Sequence, residues 1–452
     1  MSTRRLYLLL APLALLVFAA PVASAAAEDY VPGEVIVKYE DDTTEHAEAV
    51  VEQEAGTETE TLLSGGSEQL AIEDGETVAQ TVDELRQDPN VAYAVPNLVA
   101  HAARFIPNDP ELGLQWNFFE DFGIGMPEAW PLAQAAGAPG GKGAVVAVLD
   151  SGVAYEDYGR FRRAPDLRRS SFVGGHDFIE GDNHPNDSYG HGTHVAGTIA
   201  QSTNNRQAVA GIAYNAKVMP LRVLDSEGLG DSVAIAQAIR YAARRGADVI
   251  NLSVEFDDYV VASQIPDIIA AIRYAHRRGV VMVAAAGNNE FGGGPVAYPA
   301  RAKEVIAVGA TTEHGCLAWY SNRGRELDLA APGGGTDADP KYPAEVPFCR
   351  PDESGHSIFQ QTFTRRRPTR FKLVKRYDGT SMASPHVAGV AALVIASGKL
   401  GPHPSPAAVE QHLEATARDL GAPGPDSRYG YGLVDAARAL SCPPATPARS
   451  SG

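Results

Sequence analysis

The feature that most constrains the fold is an alternation of apolar strands and amphipathic helices that begins near residue 116. Ala144–Leu149 is an apolar run with no polar alternation, which is typical of a strand buried on both faces. Ser232–Arg245 and Pro266–Arg278 have helical apolar spacing, and a glycine follows each. This alternation predicts an α/β fold: a mostly parallel sheet with helices on both faces. Further strands are predicted at 218–224, 249–252, 280–285 and 305–308.

A different pattern precedes this region, between about residues 28 and 101. Strand patterns alternate there with helical patterns, and acidic residues are frequent. The predicted order is β-α-β-α-β, with strands at 31–39, 68–72 and 91–95 and helices at 44–55 and 77–87. We interpret it as a small α+β domain of the ferredoxin-like kind. A proline-containing segment, 104–110, follows as a linker or an extended arm.

The N-terminus has the composition of a secretory signal peptide. Arg4 and Arg5 precede an apolar run from Leu6 to Ala20, and small residues of the A-x-A type end at Ala27. A membrane anchor is the alternative, but the run is shorter than the roughly 20 residues that a spanning helix needs. We therefore expect secretion, to the periplasm or the medium, and no stable membrane insertion. The predicted organisation is a signal peptide at 1–27, an N-terminal domain at 28–103, an α/β domain at 104–440 and a disordered tail at 441–452.

Charge and cysteine content narrow the range of partners and cross-links. The formal net charge is −18 at pH 7, so we do not expect a nucleic acid as a partner, because phosphate binding needs a basic surface. A basic cluster at 365–376 is either an anionic docking surface or, as we favour, a solvated hairpin. Three cysteines in an exported chain allow one disulfide and one thiol. Cys316 with Cys349 is the favoured pair, and the pairings that include Cys442 stay open.

Three segments carry residues suited to nucleophilic catalysis. Asp150 follows the buried strand in Val-Leu-Asp-Ser-Gly, at the end of a strand where α/β sheets bind ligands. His191 in Gly-His-Gly-Thr-His-Val-Ala-Gly and Ser381 in Gly-Thr-Ser-Met-Ala-Ser-Pro-His-Val-Ala-Gly each follow a glycine at a predicted helix start. A histidine can take the proton of a serine hydroxyl near neutral pH, and a carboxylate can fix the histidine's tautomer. The free backbone N–H groups at a helix N-terminus can bind an oxyanion.

Each segment also has a structural interpretation when it is taken alone. Asp150 is compatible with a turn residue, and Ser381 with a helix cap. His191 and His194 are compatible with a metal site, although no third ligand is evident. Only the three segments together favour catalysis.

These three strings resemble the active-site signatures of the subtilisin family of serine proteases, in the family's order of Asp, His and Ser. The resemblance runs from about residue 107 to 440. It implies that Asp150 orients the imidazole, that His191 is the general base and then the general acid, and that Ser381 is the nucleophile. Asn288, in Val-Ala-Ala-Ala-Gly-Asn, matches the asparagine whose side-chain amide binds the oxyanion in this family. Thr380 is expected to add a weaker contact.

The resemblance also implies how a peptide substrate binds, as a strand added between two edges of the enzyme. The matching positions are Gly228 and Gly230 on one side, Ser253 on the other, and Gly287 in the primary pocket. Most relatives have Ser-Leu-Gly where this chain has Ser253-Val254-Glu255. Glu255 is therefore predicted either to obstruct the neighbouring strand or to favour a basic substrate side chain.

A calcium site is implied by a further resemblance. Pro107-Asn-Asp-Pro110 is similar to the N-terminal arm of thermitase-like relatives, whose aspartate binds calcium. Asp109, Asp166 and Asn205 are the predicted ligands, since calcium prefers several oxygen atoms from separate loops. The insertion between Gly152 and Asp166 is longer than in short relatives, which weakens the assignment of Asp166.

The domain at 28–103 resembles the family's inhibitory propeptide, which implies a zymogen that cleaves itself near 101–105. An accessory domain is the alternative. We expect a secreted, monomeric endopeptidase that acts on proteins or peptides, with its own propeptide as an intramolecular inhibitor. The rivals are a catalytically silent binding protein of the same fold and a lipase-like hydrolase, whose serine would lie in G-x-S-x-G.

Overall fold

The structure is a computed structural model that describes residues 30–73, 75–98, 104–119, 121–289, 293–338, 349–350, 352–364 and 367–443. The predicted signal peptide and most of the predicted processing region lie outside these residues. The chain divides into two compact units, Met1–His101 and Ala102–Gly452.

The described part of the first unit is a four-stranded antiparallel sheet with two helices. Its elements in chain order are β1 (Tyr30–Tyr39), α1 (Glu45–Glu54), β2 (Thr57–Leu62), β3 (Glu68–Ile72), α2 (Val78–Leu85) and β4 (Val91–Leu98). The sheet order β2-β3-β1-β4 is the ferredoxin-like arrangement. The predicted element order was wrong by one strand, because β2 reads Thr-Glu-Thr-Glu-Thr-Leu and has no apolar alternation. Val35 and Val37 of β1 pack with Val51 of α1 and Val82 of α2 in the core.

The second unit is built on an eight-stranded sheet whose described pairings are all parallel, as predicted. Its strand order is β12-β11-β10-β9-β5-β8-β6, and β7 also pairs with β8. The strands are β5 (Val145–Asp150), β6 (Ser171–Phe172), β7 (His176–Asp177), β8 (Lys217–Arg222), β9 (Val249–Leu252), β10 (Val281–Ala285), β11 (Ile306–Thr311) and β12 (Leu329–Pro332).

Helices cover both faces of this sheet. They are α3 (Met126–Ala135), α4 (His191–Ala200), α5 (Ser232–Arg244), α6 (Pro266–Arg277), α7 (Thr380–Ala396), α8 (Pro406–Thr416) and α9 (Ala436–Ser441). Val146 and Val148 of β5 pack in one core with residues of α4 and α7. Ala147 and Leu149 of the same strand pack in a second core with residues of α5 and α6. This arrangement explains why β5 is apolar at every position before Asp150.

A hairpin and a disulfide lie in the segment between β12 and α7 and next to it. The strands β13 (Gln361–Thr364) and β14 (Arg367–Leu373) form the hairpin, which matches the favoured interpretation of the basic cluster. Cys316 and Cys349 form the favoured disulfide, and Cys442 is a free thiol.

Within the described ranges, no helix combines the length and the apolar character that crossing a membrane requires.

The candidate residues meet at one edge of the large sheet, because parallel strands end at the same edge. Asp150 ends β5, Ser253 follows β9 and Asn288 follows β10. Helix α4 begins at the candidate histidine, His191, and helix α7 begins at Thr380, one residue before the candidate serine.

Candidate active site

Asp150 and His191 are in direct contact. Asp150 is fully buried, and its two carboxylate oxygens lie 2.8 and 2.9 Å from Nδ1 of His191. The turn before α4 depends on Gly190, which has a φ of 104° and whose replacement by a larger residue would bring a Cβ 2.5 Å from the carbonyl oxygen of Phe363. Because a carboxylate faces Nδ1, this nitrogen carries the proton and Nε2 is left as a proton acceptor.

The surroundings of His191 favour its protonated form. Burial disfavours the imidazolium, but the negative charge of Asp150 and its hydrogen bond favour it, and Asp187 adds to this effect. The net result is that the pKa of His191 is raised above its ordinary value. A general base must be neutral to accept a proton, so chemistry that depends on His191 should increase as the pH rises through this raised pKa.

Asp187 supports the turn that carries His191, a role that was not predicted from the sequence. It is almost fully buried, and its oxygens accept hydrogen bonds from Ser151 Oγ, from Thr193 Oγ1 and from the backbone N–H groups of Tyr189, Gly190 and Thr193. This carboxylate therefore joins the turn after β5 to the start of α4. The only local signal was its place in Asn-Asp-Ser-Tyr-Gly-His, which also suits an ordinary turn.

His194 is a structural histidine in this arrangement. Its Nε2 lies 2.9 Å from the carbonyl oxygen of Ile358, and its ring stacks on Tyr377 with centroids 4.4 Å apart. Burial lowers the pKa of His194 to about 3, so the ring is neutral and Nε2 donates to that carbonyl. The geometry does not favour a metal site formed by His191 and His194.

Ser381 lies in the first turn of α7 and lines the same cleft as His191. This cleft has a volume of about 290 Å³. The hydroxyl of Ser381 donates to the carbonyl oxygen of Ser253 at 3.4 Å, and Ser253 Oγ donates to the carbonyl oxygen of Ser381 at 2.9 Å. Ser253 Oγ also lies 3.0 Å from Ser384 Oγ, one helical turn further on. These contacts hold the start of α7 against the segment that follows β9.

Asn288 is held by Thr380 in a defined orientation. Its Oδ1 accepts from the backbone N–H of Thr380 at 2.8 Å and from Thr380 Oγ1 at 3.1 Å. Since the backbone N–H is a donor and cannot accept, the atom that faces it is the amide oxygen, and Nδ2 must point the other way. Thr380 Oγ1 also accepts from the backbone N–H of Gly287 at 3.1 Å. Thr380 therefore orients Asn288.

The carboxylate of Glu255 occupies the space beside Asn288. Its Oε2 accepts from the backbone N–H of Asn288 at 2.6 Å, and its Oε1 accepts from Asn288 Nδ2 at 3.3 Å. A Cβ on Gly287 would lie 2.7 Å from Glu255 Oε2, so this glycine provides the room for the carboxylate. The amide that resembles an oxyanion donor is thus bonded to a side chain of the chain itself.

The other predicted substrate-binding residues lie around the cleft. Gly228, Gly230 and Ser253 line it, as do Tyr189 and Glu255. Gly230 has little room for a side chain, because a Cβ there would come 2.2 Å from the carbonyl oxygen of Val223. Gly287 lies behind Glu255 rather than at an open pocket.

The structure brings the three predicted calcium ligands together. Asp109 and Asp166 are buried, and both accept hydrogen bonds from Asn205: Asp109 Oδ1 from its backbone N–H at 3.1 Å and Asp166 Oδ1 from its Nδ2 at 2.6 Å. The pKa of Asp166 is raised to about 7, because burial and the charge of Asp109 raise it by more than the hydrogen bonds from Asn205 and Val209 lower it. Two buried carboxylates near one another fit a hard cation. Asn205 fits less well, because its oxygen accepts from the N–H of Gln207 at 2.8 Å.

Among the described residues, two more groups of side chains have possible metal-ligand atoms within 4.8 Å of one another: His314, Asp337 and Glu353 in the first group, and Asp328, Glu410 and Glu414 in the second. In the first, Asp337 already accepts from Thr312 Oγ1 at 2.6 Å and contacts His314 Nδ1 at 3.1 Å. In the second, the pKa of Glu410 is raised to about 7 and that of Glu414 to about 8, mainly by burial and in part by the negative charges of neighbouring members of the group. We assign no ligand to either group.

Comparison with known proteins defines the class. A profile described as "Subtilase family" matches residues 141–432, and one described as "Fervidolysin N-terminal prodomain" matches residues 18–97. The chain therefore belongs to the subtilase family of serine proteases, which are peptide hydrolases, and it carries an N-terminal prodomain, as is consistent with a zymogen.

Named relatives agree with this class over most of their length. The thermophilic serine proteinase of Bacillus sp. (strain AK1) is 34% identical over 405 residues, which are 89% of this chain and 86% of that protein. Thermitase of Thermoactinomyces vulgaris is 34% identical over 336 residues, 74% of this chain and 99% of that protein. A solved protease structure from Pseudoalteromonas arctica PAMC 21717 is 32% identical with a TM-score of 0.59, and it covers 74% of this chain and 98% of its own.

Proposed function

We propose that the chain is a secreted zymogen whose second unit is a serine endopeptidase with Asp150, His191 and Ser381 as its catalytic triad. The observation that carries this proposal is the contact of His191 Nδ1 with both oxygens of the buried Asp150, at 2.8 and 2.9 Å. That contact leaves Nε2 as the proton acceptor in the cleft that Ser381 also lines. Acceptor and hydroxyl are the two groups that nucleophilic attack by serine requires.

In the first half of the reaction, Ser381 Oγ attacks the carbonyl carbon of the scissile peptide bond. His191 Nε2 takes the hydroxyl proton, and the imidazolium is stabilised by Asp150. The carbonyl oxygen becomes an oxyanion, for which Asn288 Nδ2 and the N–H of Ser381 in the first turn of α7 are the candidate donors. The carbon–nitrogen bond then breaks, and His191 returns its proton to the leaving amine.

In the second half, water hydrolyses the acyl-enzyme by the same steps. His191 takes a proton from the water as the oxygen attacks the ester carbon. The tetrahedral intermediate collapses, the bond to Ser381 Oγ breaks, and His191 gives the proton back to the serine. One peptide bond and one water molecule become a carboxylic acid and an amine, and the protein is regenerated.

The zymogen part of the proposal assigns residues 28–103 to the inhibitory propeptide and 104–440 to the peptidase. Support for export comes from the signal-peptide composition of residues 1–27. The matched prodomain supports an intramolecular inhibitor that is removed by self-processing near 101–105. The expected substrates are proteins and peptides, and the expected mature form is a monomer.

Labelling with a fluorophosphonate tests the proposal, because these reagents modify a serine hydroxyl that a histidine activates. We expect the processed protein to be labelled, and peptide mapping to place the label on Ser381. Heat-denatured protein is the control and should stay unlabelled. If the processed, folded protein takes up no label, the proposal is wrong, and the chain is a catalytically silent binding protein of the same fold. Hydrolysis of ester lipids without hydrolysis of casein would favour a lipase-like hydrolase instead.

We also propose that Asp109 and Asp166 bind a structural calcium ion, with Asn205 as a weaker candidate ligand. Calcium would supply the positive charge that two buried carboxylates lack, and no catalytic step depends on it. It would tie the segment before α3, which carries Asp109, to the segment between β5 and β6, which carries Asp166.

Removal of calcium is expected to lower the melting temperature of the processed protein. A ligand at about 100 times its dissociation constant stabilises the folded state by about 2.7 kcal/mol, and this corresponds to about 5 °C for a domain of this size. Calorimetry with and without a chelator measures the shift. Asp166→Asn should abolish the response, whereas Asp267→Asn, an exposed position in the first turn of α6, should keep it. An unchanged melting temperature after chelation would contradict the site.

A further inference from the structure

We propose that Glu255 makes the cleft select substrates with a lysine or arginine side chain at the residue whose carbonyl carbon Ser381 attacks. This inference rests on the proposed function. The attacked carbonyl must lie next to Ser381 Oγ, which is 3.4 Å from the carbonyl oxygen of Ser253. The developing oxyanion must point toward Asn288 Nδ2, to which Glu255 is bonded. The side chain of the attacked residue therefore enters the space beside Glu255.

The carboxylate of Glu255 is held at this place by its own bonds. The backbone N–H of Asn288 donates to Oε2 at 2.6 Å, which anchors one oxygen. The bond from Nδ2 to Oε1 is longer, at 3.3 Å. Glu255 lines the cleft and is exposed to it, so a substrate can reach the carboxylate.

The charge around Glu255 is negative and uncompensated. Across the described residues, the ion pairs within 4.0 Å do not include Glu255, Asp257 or Asp258. Among the described residues, the side chain of Asp258 accepts hydrogen bonds from two neutral side-chain amides, Asn289 Nδ2 at 2.7 Å and Asn322 Nδ2 at 3.3 Å. Burial raises the pKa of Glu255, the two hydrogen bonds from Asn288 lower it, and the negative charges of Asp258 and Asp257 raise it further. A cationic substrate side chain would supply the missing partner, through a charge-assisted hydrogen bond.

Binding of a cation would also release the amide of Asn288. As long as Asn288 Nδ2 donates to Glu255 Oε1, this hydrogen bond competes with the one that Nδ2 would donate to the oxyanion. A lysine or arginine that attracts the carboxylate weakens that bond. The same side chain that satisfies the charge of Glu255 thus leaves Nδ2 available for the transition state, so selection should appear in kcat as well as in KM.

The sequence near the processing region agrees with a basic preference. Between residues 101 and 110, Arg104 is the only lysine or arginine, and it lies inside the predicted processing region at 101–105. Between residues 28 and 101, the only basic residues of these two types are Lys38 and Arg86. The inference therefore places self-cleavage at the Arg104–Phe105 bond.

The test compares kcat/KM for peptides that differ only at the attacked residue: lysine, arginine, glutamine, leucine or phenylalanine. We expect wild-type protein to favour lysine and arginine by about tenfold to 100-fold, the range for a hydrogen bond to a charged group. Glu255→Gln keeps the shape and removes the charge, so it should bring this ratio close to one. Glu304→Gln is the matched control because it makes the same change away from the cleft. Glu304 precedes β11, at the amino ends of the parallel strands, and pairs with Arg273 at 3.9 Å. It should keep the wild-type ratio.

Three outcomes separate this inference from the proposed function. Fluorophosphonate labelling of Ser381 together with equal cleavage of leucine and lysine peptides would overturn the inference and leave the protease. An unchanged preference in Glu255→Gln would also overturn the role of Glu255. Absence of labelling and of all hydrolysis would overturn both. N-terminal sequencing of the processed wild-type protein should give Phe105 as its first residue, and a start after a non-basic residue would contradict the preference.

Discussion

Replacement of Ser381 by alanine should reduce kcat for peptide hydrolysis by about 10⁶-fold, which is the scale of losing the nucleophile of such a triad. The variant keeps the pair Asp150–His191 and the orientation of Asn288, because neither uses the serine hydroxyl. No acyl-enzyme can form without that hydroxyl. The remaining rate would come from substrate binding and the oxyanion donors alone.

The same variant should accumulate as an unprocessed precursor if the chain cleaves itself. Mass spectrometry of the purified protein measures the cleavage state, and a chromogenic peptide measures kcat. Ser397→Ala is a matched control, since it makes the same change just beyond the C-terminal end of α7, where Ser397 Oγ donates to the carbonyl oxygen of Val394. Processing and hydrolysis that persist in Ser381→Ala would contradict the assignment of the nucleophile.

Replacement of Asp150 by asparagine should reduce kcat by about 10⁴-fold without removing any reacting atom. An asparagine amide that donates to Nδ1 would place the ring proton on Nε2, where it cannot accept from Ser381. The charge of Asp150 raises the pKa of His191, and burial opposes it. Loss of that charge should therefore lower the pKa, so that the acid limb of the pH–rate profile moves to lower pH while the plateau falls.

The profile of kcat/KM against pH for wild type and Asp150→Asn measures the shift of the acid limb, because it reports the pKa of His191 in the free protein, and kcat on the plateau measures the loss of rate. Wild-type activity should rise with pH through a pKa above 6.5, the ordinary histidine value. Asp267→Asn is the control for a lost carboxylate that is remote from the ring. A variant with full kcat, or an acid limb that moves to higher pH, would contradict the role of Asp150.

The architecture of the second unit was predictable because its signals are local. The buried strand before Asp150 has no polar residue, and α5 and α6 have apolar spacing and end near Gly246 and Gly279, with φ values of 78° and 83°. The strand β2 in the first unit was missed because Thr and Glu alternate in it, and an edge strand with exposed side chains carries no hydrophobic pattern.

The candidate site was predictable only in part. Asp150, His191, Ser381 and Asn288 lie in strings whose residues are consecutive, so their placement at strand and helix ends follows from the sequence. The bonds of Glu255 to Asn288 join residues 33 positions apart, and only the fold brings β9 and β10 side by side. The five hydrogen bonds of Asp187 likewise converge from separate turns, and so no short string could reveal them.

The first unit has a consequence for timing. Residues 28–101 contain 19 acidic residues but only Lys38 and Arg86 as strong bases. Lys38 lies in β1 between two paired strands, and Arg86 caps α2 and donates to the carbonyl oxygen of Ala94 at 2.8 Å. Under the proposed basic preference, the peptidase can cut residues 28–101 only at Lys38 or Arg86, and therefore only after this part of the chain unfolds. The unfolding rate of the first unit would then set the rate at which the proposed inhibitor is lost. Dissolved salt would lower this unfolding rate, because it screens the mutual repulsion of the carboxylates in the folded unit.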